Sequence, residues 1–185
     1  MKKYIKSAVL VFTVLIFSLT NGCDAFDSFP LNMPFTITFT ASGNSSTITD
    51  NGSGCLDTNS ETYQEYRDKI NSLTFVEAAY RTVSVNTGNQ NITADISVIV
   101  SIPGGATLFN YTIPNVRPAD FISTPLVLQL DQVELDAIRS YLELFQQVPS
   151  MCFDATYTLS NISGGAAPYT VEGAVDFVLE AETEF

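Results

Sequence analysis

The residues best placed to do chemistry are carboxylates near the C-terminus. Glu172, Asp176 and Glu180 share one face of an alternating run, with Glu182 and Glu184 beyond. Residues two apart on a strand lie roughly 7 Å from one another, a spacing that suits the carboxylate pair of a glycosidase. A solvated face guarding an edge strand against other chains has the same pattern. Tryptophan, the commonest sugar platform, is absent. The stripe is therefore read as surface, and a carboxylate-based, glycan-acting enzyme as the least favoured function.

A second cluster is Asp50-Asn51-Gly52-Ser53-Gly54, with Asp57 nearby. Its oxygens are of the type calcium takes, but the spaced acids and closing glutamate of an EF-hand loop are missing. Asp-Asn-Gly is chiefly turn chemistry, so no metal site is assigned. Ser53 lies between two glycines, yet a nucleophile elbow needs a different spacing and a histidine partner. The chain has no histidine. That excludes every Ser-His-Asp and Cys-His arrangement and the zinc sites built on imidazole. Gly104-Gly105 and Gly164-Gly165 open no helix and precede no lysine, so they are hairpin turns and not phosphate loops. Tyrosines 63, 66, 80, 111, 141, 157 and 169 are read as core in place of tryptophan, not as a pocket lining. No catalytic residue and no cofactor is expected.

The first residues carry a different message. Lys2, Lys3 and Lys6 precede an apolar run from Ala8 to Phe17, interrupted only by Thr13. Ser18-Leu19-Thr20-Asn21-Gly22-Cys23 follows. A basic start, a short apolar centre and small residues make an export signal, and the run is too short to span a bilayer. The ending Leu19-Thr20-Asn21-Gly22-Cys23 resembles the lipobox of bacterial lipoproteins, over residues 1–23 alone. Gly22 matches that pattern, while Leu19 stands one position further from the cysteine than is usual. The resemblance implies a diacylglyceryl group on Cys23, acyl chains such as palmitate, and removal of residues 1–22. The alternative is an ordinary secretory signal cut after Ala25, which would free the protein.

Without residues 1–22, all 20 acidic residues remain against Arg67, Lys69, Arg81, Arg117 and Arg139, a net charge of −15. Such a chain repels phosphate backbones, so nucleic acid is excluded as a partner. Docking to anionic headgroups is equally disfavoured. If Cys23 carries lipid, Cys55 and Cys152 remain as a pair, and export to an oxidising compartment favours a bridge between them.

These residues must be positioned by a mainly β domain. Residues 23–33 read as lipidated cysteine and tether, and residues 34–185 as one domain. Phe35, Ile37 and Phe39 alternate with threonines, and Ile92 to Ile102 is apolar at every second position. Phe153 to Leu159 and Tyr169 to Leu179 alternate likewise. Two helices are expected. One is capped by Thr58 and Glu61, with Tyr63, Tyr66, Ile70 and Leu73 on one face; the other is capped by Asp131, with Leu135, Ile138, Leu142 and Phe145 buried. Short connections impose antiparallel pairing. The expectation is an antiparallel β-sandwich or curved sheet of about eight strands with two α-helices packed on it, the bridge pinning the start of one helix to the exit of the other.

The functional expectation is a non-enzymatic cell-envelope lipoprotein, at the outer membrane or cell surface, serving as a binding or structural module. Its partners would be the membrane, through Cys23, and another envelope protein. The alternative is a secreted or periplasmic carrier of an apolar ligand.

Overall fold

The computed structural model describes residues 28–56, 61–148 and 150–184. The strands are β1 (Ser28–Gly43), β2 (Ile48–Cys55), β3 (Ile70–Val85), β4 (Thr93–Ser101), β5 (Thr107–Val116), β6 (Leu126–Val127), β7 (Cys152–Ser163) and β8 (Tyr169–Glu184). They form two four-stranded antiparallel sheets, ordered β1-β8-β3-β6 and β2-β7-β4-β5. The alternation seen in sequence is the cause. Phe35, Ile37, Phe39 and Ala41 of β1 turn inward beside Val175, Phe177 and Leu179 of β8, against Ile96, Val98 and Val100 of β4. Phe35 stacks on Phe177 at 4.7 Å between centroids and on Phe153 of the other sheet at 5.0 Å, so aromatic rings fill the space between the sheets.

Strand β1 takes in residues 28–33, which the sequence pattern placed in the tether. Pro30 and Pro34 hide the alternation there. They are tolerated because β1 is an edge strand with β8 on one side only.

One expectation is corrected. Among the described residues there is one substantial helix, α2 (Gln132–Leu142), whereas the first expected helix is a six-residue segment, α1 (Glu61–Tyr66), followed by a 3-10 turn at Arg67–Lys69. Ile70 and Leu73 belong to β3, opposite Thr183 and Ala181. A register shift at Asn71 puts these two residues, three apart, on the same face. A β-bulge thus imitated helical spacing. The α2 helix begins as expected, with a capping box between Asp131 and Glu134, and it buries Ile138, Tyr141 and Leu142.

Both flanks of the sandwich are closed. On one, β1 turns through Ser45 and Ser46 into β2 and the two sheets meet. Thr40 donates its N–H to Asp50 Oδ2 at 2.6 Å. A Cβ on Gly52 would stand 2.5 Å from the Thr38 carbonyl, and one on Gly54 3.0 Å from that of Thr36. On the other flank the chain leaves β6, where Leu128 donates to Ala78 O, and α2 runs down beside β3. Glu134 of α2 accepts the N–H of Asn110 on the free edge of β5.

The Cys55–Cys152 disulfide is present. These residues face each other as the last of β2 and the first of β7, so the bridge staples paired strands and not two helices.

Candidate functional site

The carboxylate stripe lies on the outer face of a central strand. β8 sits between β1 and β3, so the expected role in guarding a sheet edge is corrected. Edge and centre have the same alternation, and only the pairing of the distant β1 distinguishes them. Three of its acids are engaged by neighbouring strands. Arg81 donates to Asp176 through Nε at 2.7 Å and Nη2 at 3.4 Å, and Thr36 donates to the same carboxylate at 2.7 Å. Ser84 donates to Glu172 at 2.7 Å and Ser72 to Glu182 at 3.3 Å. Glu172 and Asp176 are four residues apart on the strand, about 13 Å. That exceeds the roughly 5 to 9.5 Å between glycosidase carboxylates. Glu180 and Glu182, two residues apart at roughly 7 Å, do fall within that range, but they stand on the outer face of the sheet with Ser72 bonded to Glu182. The stripe as a whole joins three strands by side-chain bonds.

Residues 50–54 form part of strand β2, not the turn expected, because β7 pairs with all of them. Asp50 is engaged with Thr40, and Asn51 Oδ1 accepts from Thr156 at 2.8 Å. Asp57 lies outside the described residues. A hollow of about 440 Å³ beside Asn51, Ser53 and Thr156 has Asp154 as its single carboxylate. Among the described residues no three His, Cys, Asp or Glu side chains are grouped as a metal site. Gly52 and Gly54, suggestive of a nucleophile elbow, instead admit the backbone of β1.

The tyrosines divide. Tyr80 and Tyr157 are fully buried and come from opposite sheets. Their hydroxyls lie 2.8 Å apart, and Tyr80 also meets Thr82 Oγ1 at 2.9 Å. Gly173 makes room for both rings, since a Cβ there would stand 3.3 Å from Tyr80. Burial, then the neighbouring Tyr80, pushes the Tyr157 hydroxyl well above the usual tyrosine range. Burial also raises Tyr80, opposed by its bonds to Thr82 and Tyr157. Tyr141 is buried and donates to the Cys152 carbonyl at 2.7 Å. Tyr63, Tyr111 and Tyr169 are half-buried at the margin of the core.

Two polar clusters have no counterpart among the sequence motifs. Asp95 on β4 accepts from the Asn115 N–H on β5 and from Asn161 Nδ2 on β7, each at 2.7 Å. Both asparagines have positive φ, 48° and 55°, and the pairings with β5 and β7 shift register beside Asp95. The bond from the Asn115 N–H, then that from Asn161, holds the Asp95 carboxyl below its ordinary range. Asn89, buried, donates to the carbonyls of Ala166 and Pro168 and accepts from the Ala166 N–H, tying two loops together. No sequence signal announces either cluster, because their bonded members are 20 to 79 residues apart.

Cys23 lies outside the described residues, so the site made by folding is the Cys55–Cys152 bridge. No family model and no curated protein matches the chain. A solved structure titled Desmodium yellow mottle tymovirus is similar over 85% of this chain and 89% of that one, with 12% identity and a TM-score of 0.39. That likeness is too slight to bear on function.

Proposed function

We propose that this chain is an exported, lipid-anchored protein of the cell envelope whose sandwich acts as a binding or structural module and not as an enzyme. The observation that carries the reading is the N-terminal pattern, from Lys2 through the apolar run to Gly22 and Cys23. The Cys55–Cys152 bridge supports it, since such bridges persist in oxidising compartments. The partnered carboxylates and the missing histidine weigh against catalysis.

The apolar-ligand carrier ranks second. It needs a cavity between the sheets, and the stacked rings of Phe35, Phe153 and Phe177 occupy that space.

The test is the intact mass of unreduced protein purified from its own membranes. The expected mass starts at Cys23, with acyl chains added and two hydrogens missing. A lipid-free mass starting at Phe26, the residue after the alternative cleavage site, would replace this reading with a free secreted protein.

A further inference from the structure

We propose that the open edge of β3 binds an extended segment of a partner protein as an added strand, the segment alternating basic and apolar residues. This rests on the reading of the sandwich as a binding module and names its partner class. The backbone carries it. On β8, Phe177, Leu179, Ala181 and Thr183 stand opposite Ala78, Phe75, Leu73 and Ile70. Alternate pairs of an antiparallel ladder exchange no bonds with each other. Ala78 O accepts the Leu128 N–H at 2.8 Å, and Ile70 O accepts from Gln146 Nε2 at 3.4 Å, so both residues point away from β8. Phe75 and Leu73 lie between them in the same alternation and point the same way. The short β6 pairs only with Ala79 and Tyr80. Among the described residues, no hydrogen bond meets Leu73 or Phe75 from that side.

The helix leaves this edge unpaired. α2 closes the flank by burying Ile138, Tyr141 and Leu142, but a helix satisfies its backbone groups internally and cannot pair with a strand. A groove of about 420 Å³ remains between residues 72–76 and Leu135, Arg139 and Glu143. An added strand would set alternate side chains on opposite faces. One set would lie beside Leu73, Phe75 and Leu135, which suits apolar residues. The other would lie on the outer face, where Glu77 is exposed and Glu180 stands one strand further. Glu143 adds a third acid, while Arg139 is paired with Asp136 at 2.8 Å. That balance selects a basic partner. The free edge of β5 is guarded instead: Glu134 accepts the Asn110 N–H, and Pro114 supplies no donor.

The probe is a synthetic octapeptide alternating lysine and valine, titrated by fluorescence anisotropy into the full-length protein in neutral detergent, with the bridge kept oxidised. Binding is expected, with hydrogen exchange slowed in residues 72–76 and unchanged in residues 107–116. Methylating the peptide nitrogens along one edge removes its strand-forming donors and keeps its charge, so a peptide methylated on the edge that faces β3 should bind roughly tenfold more weakly. Glu77→Lys with Glu143→Lys, both at exposed positions, should weaken the lysine peptide roughly fivefold. No binding, equal binding of peptides methylated on either edge, or protection absent from residues 72–76 would overturn the proposal. If it fails and the intact mass shows acylated Cys23, the lipoprotein reading stands. If the peptide binds at β3 and Cys23 carries no lipid, the lipoprotein reading falls and this one stands.

Discussion

Asp95 illustrates how one side chain can fix two strands. Its two oxygens hold Asn115 and Asn161, each in the left-handed backbone region that asparagine tolerates better than most residues. Its folded-state pKa is depressed, so its contribution is present above the unfolded value of about 3.9 and is lost as pH falls through the folded value. We expect Asp95→Asn to lower the urea midpoint at pH 7. The gap to the natural protein should close as the pH is taken below about 4. A gap that persists unchanged at low pH would mean that the charge contributes nothing. The buried hydroxyls give a second prediction. Tyr80 serves both Tyr157 and Thr82, whereas Tyr157→Phe would leave the Tyr80–Thr82 bond intact. Tyr80→Phe should therefore destabilise more than Tyr157→Phe, within the roughly 1–3 kcal/mol that an unsatisfied buried group costs. Equilibrium denaturation of the two variants decides the order.

At the scale of elements, the junction between β1 and β2 depends on glycine for space. A methyl on Gly52 would meet the Thr38 carbonyl, the Ile37 side chain and the Phe39 ring. The carbonyl belongs to backbone and cannot rotate away. Gly52→Ala should cost about 1–3 kcal/mol, the usual penalty for overpacking. Gly104→Ala has open space around its Cβ, although its positive φ of 64° adds a backbone cost. A thermal unfolding comparison with Gly52→Ala would show whether contact or conformation weighs more. The α2 helix has a different task. It covers the flank where β6 is only two residues long, and Glu134 both caps it and engages the β5 edge.

For the whole molecule, the bridge between Cys55 and Cys152 joins residues 97 apart in sequence. The chain-entropy model assigns a loop of about 100 residues up to about 4.7 kcal/mol. We expect the double variant Cys55→Ala, Cys152→Ala to lose several kcal/mol by urea unfolding while keeping the same far-ultraviolet circular dichroism. Retained stability would show that the long β2–β7 pairing suffices without the bridge. The surface acids are a lesser matter. Arg81 and Asp176 are each about one-third exposed, so water screens their attraction.

By itself, the sequence determined the class of fold, because side-chain alternation is a local property that any half-buried strand must show. It also determined the Asp131–Glu134 cap and the candidate cysteine pair, which depend on residue type and short spacing. Only the tertiary structure decided that β8 is central and that Gly52 and Gly54 admit a neighbouring strand. It alone turned Ile70 and Leu73 into a bulged strand, brought Tyr80 to Tyr157 and gave Asp95 its two asparagines. Each of these depends on which distant strand lies alongside and in what register. Pairing of that kind is settled by packing over the whole chain and leaves no trace in a short window of sequence.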